Sequence, residues 1–376
     1  MDRSRLPLEL QHTIAGFSDR RTLAALLRTS RSLRYVVEPL FFMEIAIRSP
    51  AHVAALAQRP SLAARVVVLT VVLDHAPIGL PPMPSVRDVR WSSVLEEPVR
   101  RMSATEAGAF FLHFPALQRL HISLDFASVA EMDRALYAVA PRLRTFTVSF
   151  PSGSPMGRIH GAVSLFCCLR ELRFEEGHYF DIGAFMTDCV RTQAQYVDVI
   201  HMPRFCTWSS LHATLCTVAP RLRVLELVSF VDIERLDLRP GPSLPCLSTV
   251  MFEVHKPNDC HHTEWRFMRS IMKYLDARCP APALTTVRVT VFARKVLPSM
   301  LTGDYSTVSL GQDSGPMDFS LAEWLHDVVG DVRRLEIVVY CSSSSEDSPV
   351  YDLRAAVRSQ LHILGDDRLS VNIIAT

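Results

Sequence analysis

The segment Leu136-Tyr-Ala-Val-Ala-Pro141-Arg-Leu143-Arg-Thr-Phe146-Thr-Val148 returns, nearly intact, as Leu215-Cys-Thr-Val-Ala-Pro220-Arg-Leu222-Arg-Val-Leu225-Glu-Leu227. The two prolines lie 79 residues apart, about three units of 26. Shorter copies of one pattern, apolar-x-x-apolar-x-apolar, fall around and between them. They are Leu117-x-x-Leu120-x-Ile122, Leu169-x-x-Leu172-x-Phe174, a weaker Ala194-x-x-Val197-x-Val199, and Leu247-x-x-Val250-x-Phe252. Degenerate copies are Val66-x-x-Leu69-x-Val71, Val86-x-x-Val89-x-Trp91, Leu284-x-x-Val287-x-Val289 and Val332-x-x-Leu335-x-Ile337. The last two apolar positions of each copy are two apart, so in a strand they face the same way. The first apolar position belongs to the turn before it. Between copies the spacing becomes helical, in the stripes Val129, Met132, Leu136, Val139; Trp208, Leu211, Leu215, Val218; and Trp265, Met268, Met272, Leu275. Pro141, Pro220 and Pro280 follow those stripes and end the helices. No single unit of this size buries its own apolar face, whereas stacking buries all of them.

A period in the twenties with this pattern is the mark of a leucine-rich repeat. The expected fold class is therefore α/β. Residues 46–376 form an irregular solenoid, with parallel strands on a concave face and helices on a convex one. Arg119 and His121, Thr145 and Thr147, Glu171 and Arg173, and Val224 and Glu226 should point out of its core. The Asn that usually follows such strands is almost missing, since only Asn258 and Asn372 occur. Other groups must then satisfy the turns. The spacing stretches to 37 and then 48 residues toward the C-terminus, which marks insertions. One insertion spans 293–318, with Pro298, Gly303, Gly311, Gly315 and Pro316. Another, at 341–349, is the polar, acidic run Cys341 to Pro349.

The first forty-odd residues do not share the pattern. Pro7 suits a first helical turn, and Leu10, Ile14 and Phe17 share one helical face. Gly16 and Ser18 end that helix, and Ser18 or Asp19 caps a second carrying Leu23, Leu26 and Leu27. Thr29 or Ser30 caps a third, with Leu33, Val36 and Val37, which Pro39 should stop. The segment is too short for a large core of its own, so it reads as a docking module that hides apolar surface against a partner.

Leu6-Pro7-x-Glu9-Leu10, then Ile14, a polar turn, Leu23-x-x-Leu26-Leu27 and Ser30-Arg31-x-x-Arg34 resembles an F-box over about residues 4–42. The resemblance implies a three-helix module, residues 1–45, that binds the Skp1 adaptor of a cullin–RING ubiquitin ligase. By residue matching the adaptor-binding set is Leu6, Pro7, Leu10, Ile14, Leu23, Leu26, Ser30 and Arg31. Leu33 stands where many F-boxes carry Trp. The implied function is substrate recognition in an SCF-type ligase, with a client protein held by the repeats. The pairing resembles the divergent F-box families of fungi. The alternative is a leucine-rich-repeat protein-binding scaffold without ligase association, its N-terminus a cap.

Composition narrows the classes further. With 376 residues, 48% hydrophobic and 21% charged, the chain is globular and long enough for two or three domains. A net charge of +1 gives no reason to expect nucleic acid as a partner. The longest strongly apolar run, Val66 to Leu73, is far below a membrane span. There is no apolar leader segment, and nine irregularly spaced cysteines read as reduced thiols, so the expected location is cytoplasmic or nuclear. The only lysines are Lys256, Lys273 and Lys295.

No phosphate-binding glycine loop, nucleophile elbow or Cys-x-x-Cys pair occurs, and no catalytic residues, metal or cofactor are expected. His255, Cys260, His261, His262 and Glu264 form the one ligand-like cluster, read as a solvated loop before a helix. Cys167-Cys168 reads as a pair of small residues near a repeat core. Ser343 with Glu346, and Ser348 with Pro349, are phosphorylation contexts in a solvated loop.

Overall fold

The computed structural model describes residues 7–29, 31–92, 102–123, 126, 129–149, 166–175, 196–202, 208–228, 240–255, 261–293, 334–341 and 369–375. The chain divides into two compact units, Met1–Leu169 and Arg170–Thr376. The expected insertions near 293–318 and 341–349 lie almost wholly outside the described residues.

The first unit opens with three helices, α1 Leu8–Gly16, α2 Arg20–Leu26 and α3 Arg31–Phe41. Strand β1, Glu44–Ile47, follows, then α4 Pro50–Ala57 and α5 Pro60–Ala63. The remaining elements are β2 Val68–Val72, β3 Asp88–Ser92, α6 Ala104–Phe111, β4 Arg119–Ser123, α7 Val129–Leu136 and β5 Thr145–Ser149. Its strands are parallel and pair in chain order, β1 to β5. The second unit contains β6 Glu171–Phe174, β7 Val199–Met202, α8 Trp208–Val218, β8 Val224–Val228, β9 Thr249–His255, α9 His261–Arg278, β10 Thr286–Ala293, β11 Arg334–Cys341 and β12 Leu369–Ala375. These strands too are parallel and pair in chain order, β6 to β12. The architecture is α/β with open parallel sheet.

Alternation places the repeat positions. Leu120, Phe146, Leu172 and Leu225 are all buried at 1% exposure or less, as are the leucines three residues before them. In the first unit Trp91 fills the last template position. Its ring lies 4.5 Å from Phe110, and its Nε1–H donates to the Leu73 carbonyl at 3.0 Å. Phe146 stacks on Phe166. The helical stripes face inward: Met132, Leu136 and Val139; Leu211, Leu215 and Val218; and Met268, Met272 and Leu275 are buried. Ser103 caps α6: its Oγ accepts from Glu106 N–H and donates to the Glu106 carboxylate.

With asparagine missing, backbone joins the repeats. The carbonyl of the residue before one strand accepts two N–H groups from the next repeat. Gln118 O accepts from Arg144 and Thr145, Arg170 O from Asp198 and Val199, Asp198 O from Arg223 and Val224, and Arg223 O from Ser248 and Thr249. One carbonyl with two lone pairs thus satisfies two donors at each turn.

Four expectations change, and one domain boundary falls within a strand. The weak copy at Ala194 is displaced: β7 pairs Leu172 with Ile200, so the true copy is Val197-x-x-Ile200-x-Met202, all three buried. Val199 instead shares the outward register of Glu171. Thr147, expected outward beside His121, is buried at 7%. Pro39 does not stop α3. It occupies the last turn, and Phe42 N–H bonds Glu38 O beyond it at 3.1 Å, so the helix reaches Phe41 before ending. Cys167 and Cys168 are exposed in the turn before β6 rather than sheltered by a repeat core. The residue 45/46 boundary falls inside β1, which pairs Ile45 with Leu69 and Ile47 with Val71.

Candidate docking surface

The N-terminal helices enclose only a small core of Ala15, Leu23, Val36 and Val37, with Leu26, Leu27, Leu40 and Phe41 against it. Asp19 caps α2 by accepting from Thr22 N–H at 2.7 Å. That backbone hydrogen bond holds the Asp19 carboxyl below its ordinary range. Arg34 Nε donates to Leu27 O at 3.1 Å, and the Arg20 guanidinium lies 5.4 Å from the Phe41 ring centre. The side chain to backbone bond and the cation–π contact tie α2 to α3.

Helix α1 carries its apolar stripe on the wrong side for this core. Ala15 is its only buried residue. At 3.6 residues per turn, Leu10, Ile14 and Phe17 project to the other side. They are 49%, 48% and 91% exposed, and Leu8 is 51% exposed. In an ordinary surface helix the apolar face turns inward. Here the described residues leave it facing solvent, which is the pattern of an interaction patch.

The sequence-derived set divides on this geometry. Pro7, Leu10 and Ile14 lie exposed at and along α1. Leu23 is committed to the module's core, and Leu26 packs at its edge. Arg31 is exposed at the start of α3. Leu6 and Ser30 lie outside the described residues. Phe17 joins the patch, on the i, i+4, i+7 spacing it shares with Leu10 and Ile14. Leu8 is exposed as well, but lies about 160° around the helix from Leu10 and is not part of that stripe.

The strand surface of the second unit is charge-paired. Glu226 on β8 accepts from His201 on β7 at 3.1 Å and meets Arg173 of β6 at 3.5 Å, while Arg173 also bonds Glu171. On the next strands Glu336 of β11 binds both Arg288 of β10 and Arg334. Burial disfavours the Arg173 cation, but the carboxylates of Glu171, Glu226 and Glu175 outweigh this and hold its pKa above the ordinary value. Such a face offers alternating charge for recognition. Among the described residues no three His, Cys, Asp or Glu converge to hold a metal ion. The His255–Glu264 cluster falls on side chains outside the described set. No described helix is long and apolar enough to cross a membrane. No family model and no curated protein sequence matches the chain.

Proposed function

We propose that this chain is a substrate-recognition subunit of an SCF-type cullin–RING ubiquitin ligase. Residues 1–45 act as an F-box for a Skp1-like adaptor, and the repeats that follow act as an irregular leucine-rich-repeat solenoid for a client protein. The observation that carries the reading is the reversed apolar stripe of α1, set on a three-helix module with almost no core of its own. Parallel strands in chain order with buried Leu-x-Leu positions support the repeat assignment. Catalysis then needs no active site in this chain. Holding a client beside a ubiquitin-charged enzyme raises the effective concentration of its lysines.

The test is capture of purified adaptor by the full chain carrying Leu10→Asp and Phe17→Asp. Both residues are exposed, so the unfolding midpoint should stay near wild type. Each lost contact costs roughly 1–3 kcal/mol, so the pair lowers affinity by tens to thousands of fold. Leu23→Ala makes the contrast, since it weakens capture only by loosening the module. Unchanged adaptor capture in the double variant would falsify the assignment.

A further inference from the structure

A second site lies in the second unit, where α8 meets α9. His212 and Cys216 are one turn apart on α8, with Cys216 Sγ 3.5 Å from His212 Nε2. The other ring nitrogen, Nδ1, is 2.7 Å from the Tyr274 hydroxyl of α9. Trp208 packs on the Tyr274 ring from the same helix as His212. Tyr274 also hydrogen-bonds the Cys279 thiol, which follows α9 and is buried. Burial pushes the Cys279 thiol up, and the Tyr274 bond opposes that. Gly241 closes over the pair: its N–H donates to Arg278 O at 3.0 Å, and a Cβ there would lie 2.1 Å from Cys279 Sγ.

One proton arrangement leaves His212 able to act as a base. Tyr274 has one hydroxyl hydrogen. Given to Cys279 Sγ, it leaves the phenol oxygen to accept from His212 Nδ1–H. A neutral imidazole then presents a bare Nε2 to Cys216, which is exposed to solvent. This is a nucleophile, a base and a group that orients the base, the arrangement that activates thiols elsewhere.

The geometry points to Cys216 as a reactive thiol that takes soft carbon electrophiles of the α,β-unsaturated carbonyl class, with His212 as its base and Tyr274 as a positioning residue. In the addition, the Cys216 proton passes to His212 Nε2 and the sulfur electron pair forms a bond to the β-carbon. The π pair of the alkene moves into an enolate, and the imidazolium returns the proton to the α-carbon. Nothing else is consumed. Among the described residues, the hydrogen-bonded ionisable groups of the cluster are His212 and Cys216 from α8, and Tyr274 and Cys279 from α9 and its end.

Full-length protein treated with limiting N-ethylmaleimide, with each cysteine peptide quantified over time, tests this directly. Cys167, Cys168 and Cys246 are exposed and serve as internal standards. Cys216 should react about tenfold faster near neutral pH, the mark of a thiol held beside a base. Buried Cys279 should stay unlabelled, which reports that the unit is intact. His212→Gln should remove the advantage. Tyr274→Phe keeps the ring packing but should move the rate-against-pH profile of Cys216 back toward that of the standards. Equal rates for Cys216 and the standards in the wild type, or an unchanged profile in His212→Gln, would overturn the assignment.

Discussion

Single atoms decide much of the local behaviour. A methyl group at Gly241 would meet Cys279 Sγ, Arg278 O and the Tyr274 hydroxyl at 2.1, 3.0 and 3.1 Å. The backbone carbonyl cannot swing away, so Gly241→Ala should destabilise the second unit by roughly 1–3 kcal/mol, read as a lower urea midpoint. Gly16 is the opposite case, with nothing within 4 Å of an added Cβ. Gly16→Ala should raise stability by roughly 0.4–1 kcal/mol through the unfolded chain alone. Asp19 carries a pH prediction. Its folded pKa is depressed by the Thr22 N–H bond. Its stabilisation is complete above the unfolded value of ~3.9 and disappears as pH falls through the lower folded value. Slowed amide exchange at Thr22 should therefore be lost in Asp19→Ala at neutral pH, and a pH-independent exchange difference between the two proteins would contradict the cap.

At the scale of elements, the recurring device is the carbonyl before each strand that accepts two N–H groups from the next repeat. Arg223 uses both of its backbone groups this way, donating to Asp198 O and accepting from Ser248 and Thr249. Its exposed side chain forms no part of that ladder. Arg223→Ala should change stability by no more than about 0.5 kcal/mol. Arg223→Pro removes the donor and should cost about 3 kcal/mol or more, visible as lost amide protection across β7, β8 and β9. Equal effects of the two changes would show that the side chain, not the backbone, joins the repeats. The same ladder explains the displaced copy at β7. Apolar residues at Val197 and Val199 satisfied the pattern in the wrong register, and only the pairing of Leu172 with Ile200 resolved it.

For the whole molecule, the proposed ligase role has a consequence in its lysine content. Receptors held beside a ubiquitin donor expose their own amines to it. This chain has only Lys256, Lys273 and Lys295. Lys273 projects to solvent from α9, while Lys256 and Lys295 lie outside the described residues. In a reconstituted ligase, self-ubiquitination should be slow and confined to those three sites and the N-terminal amine. Changing all three to Arg keeps the charge and removes the nucleophile. Mapped peptides from a time course check this, and abundant chains of equal length on both proteins would count against it.

Periodicity alone determined the class of fold, because buried positions two apart in strands and three or four apart in helices can be read without coordinates. Leu120, Phe146, Leu172 and Leu225 are legible as core in this way, and all are buried. The α1 stripe of Leu10, Ile14 and Phe17 was equally legible, since helical spacing is a local property. Its direction was not, because whether a stripe faces a core or solvent depends on what packs opposite it. Strands β1 and β12 escaped detection for related reasons. Phe42-x-x-Ile45-x-Ile47 fits the template but lies at the end of the helical module, and the sequence before Leu369 has Asp366 where the template has an apolar residue. His212 and Cys216 are neighbours by helical spacing, yet Tyr274 is 62 residues from His212. Only the packing of α8 on α9 brings its hydroxyl to the imidazole, because hydrogen bonds act over about 3 Å regardless of distance along the chain.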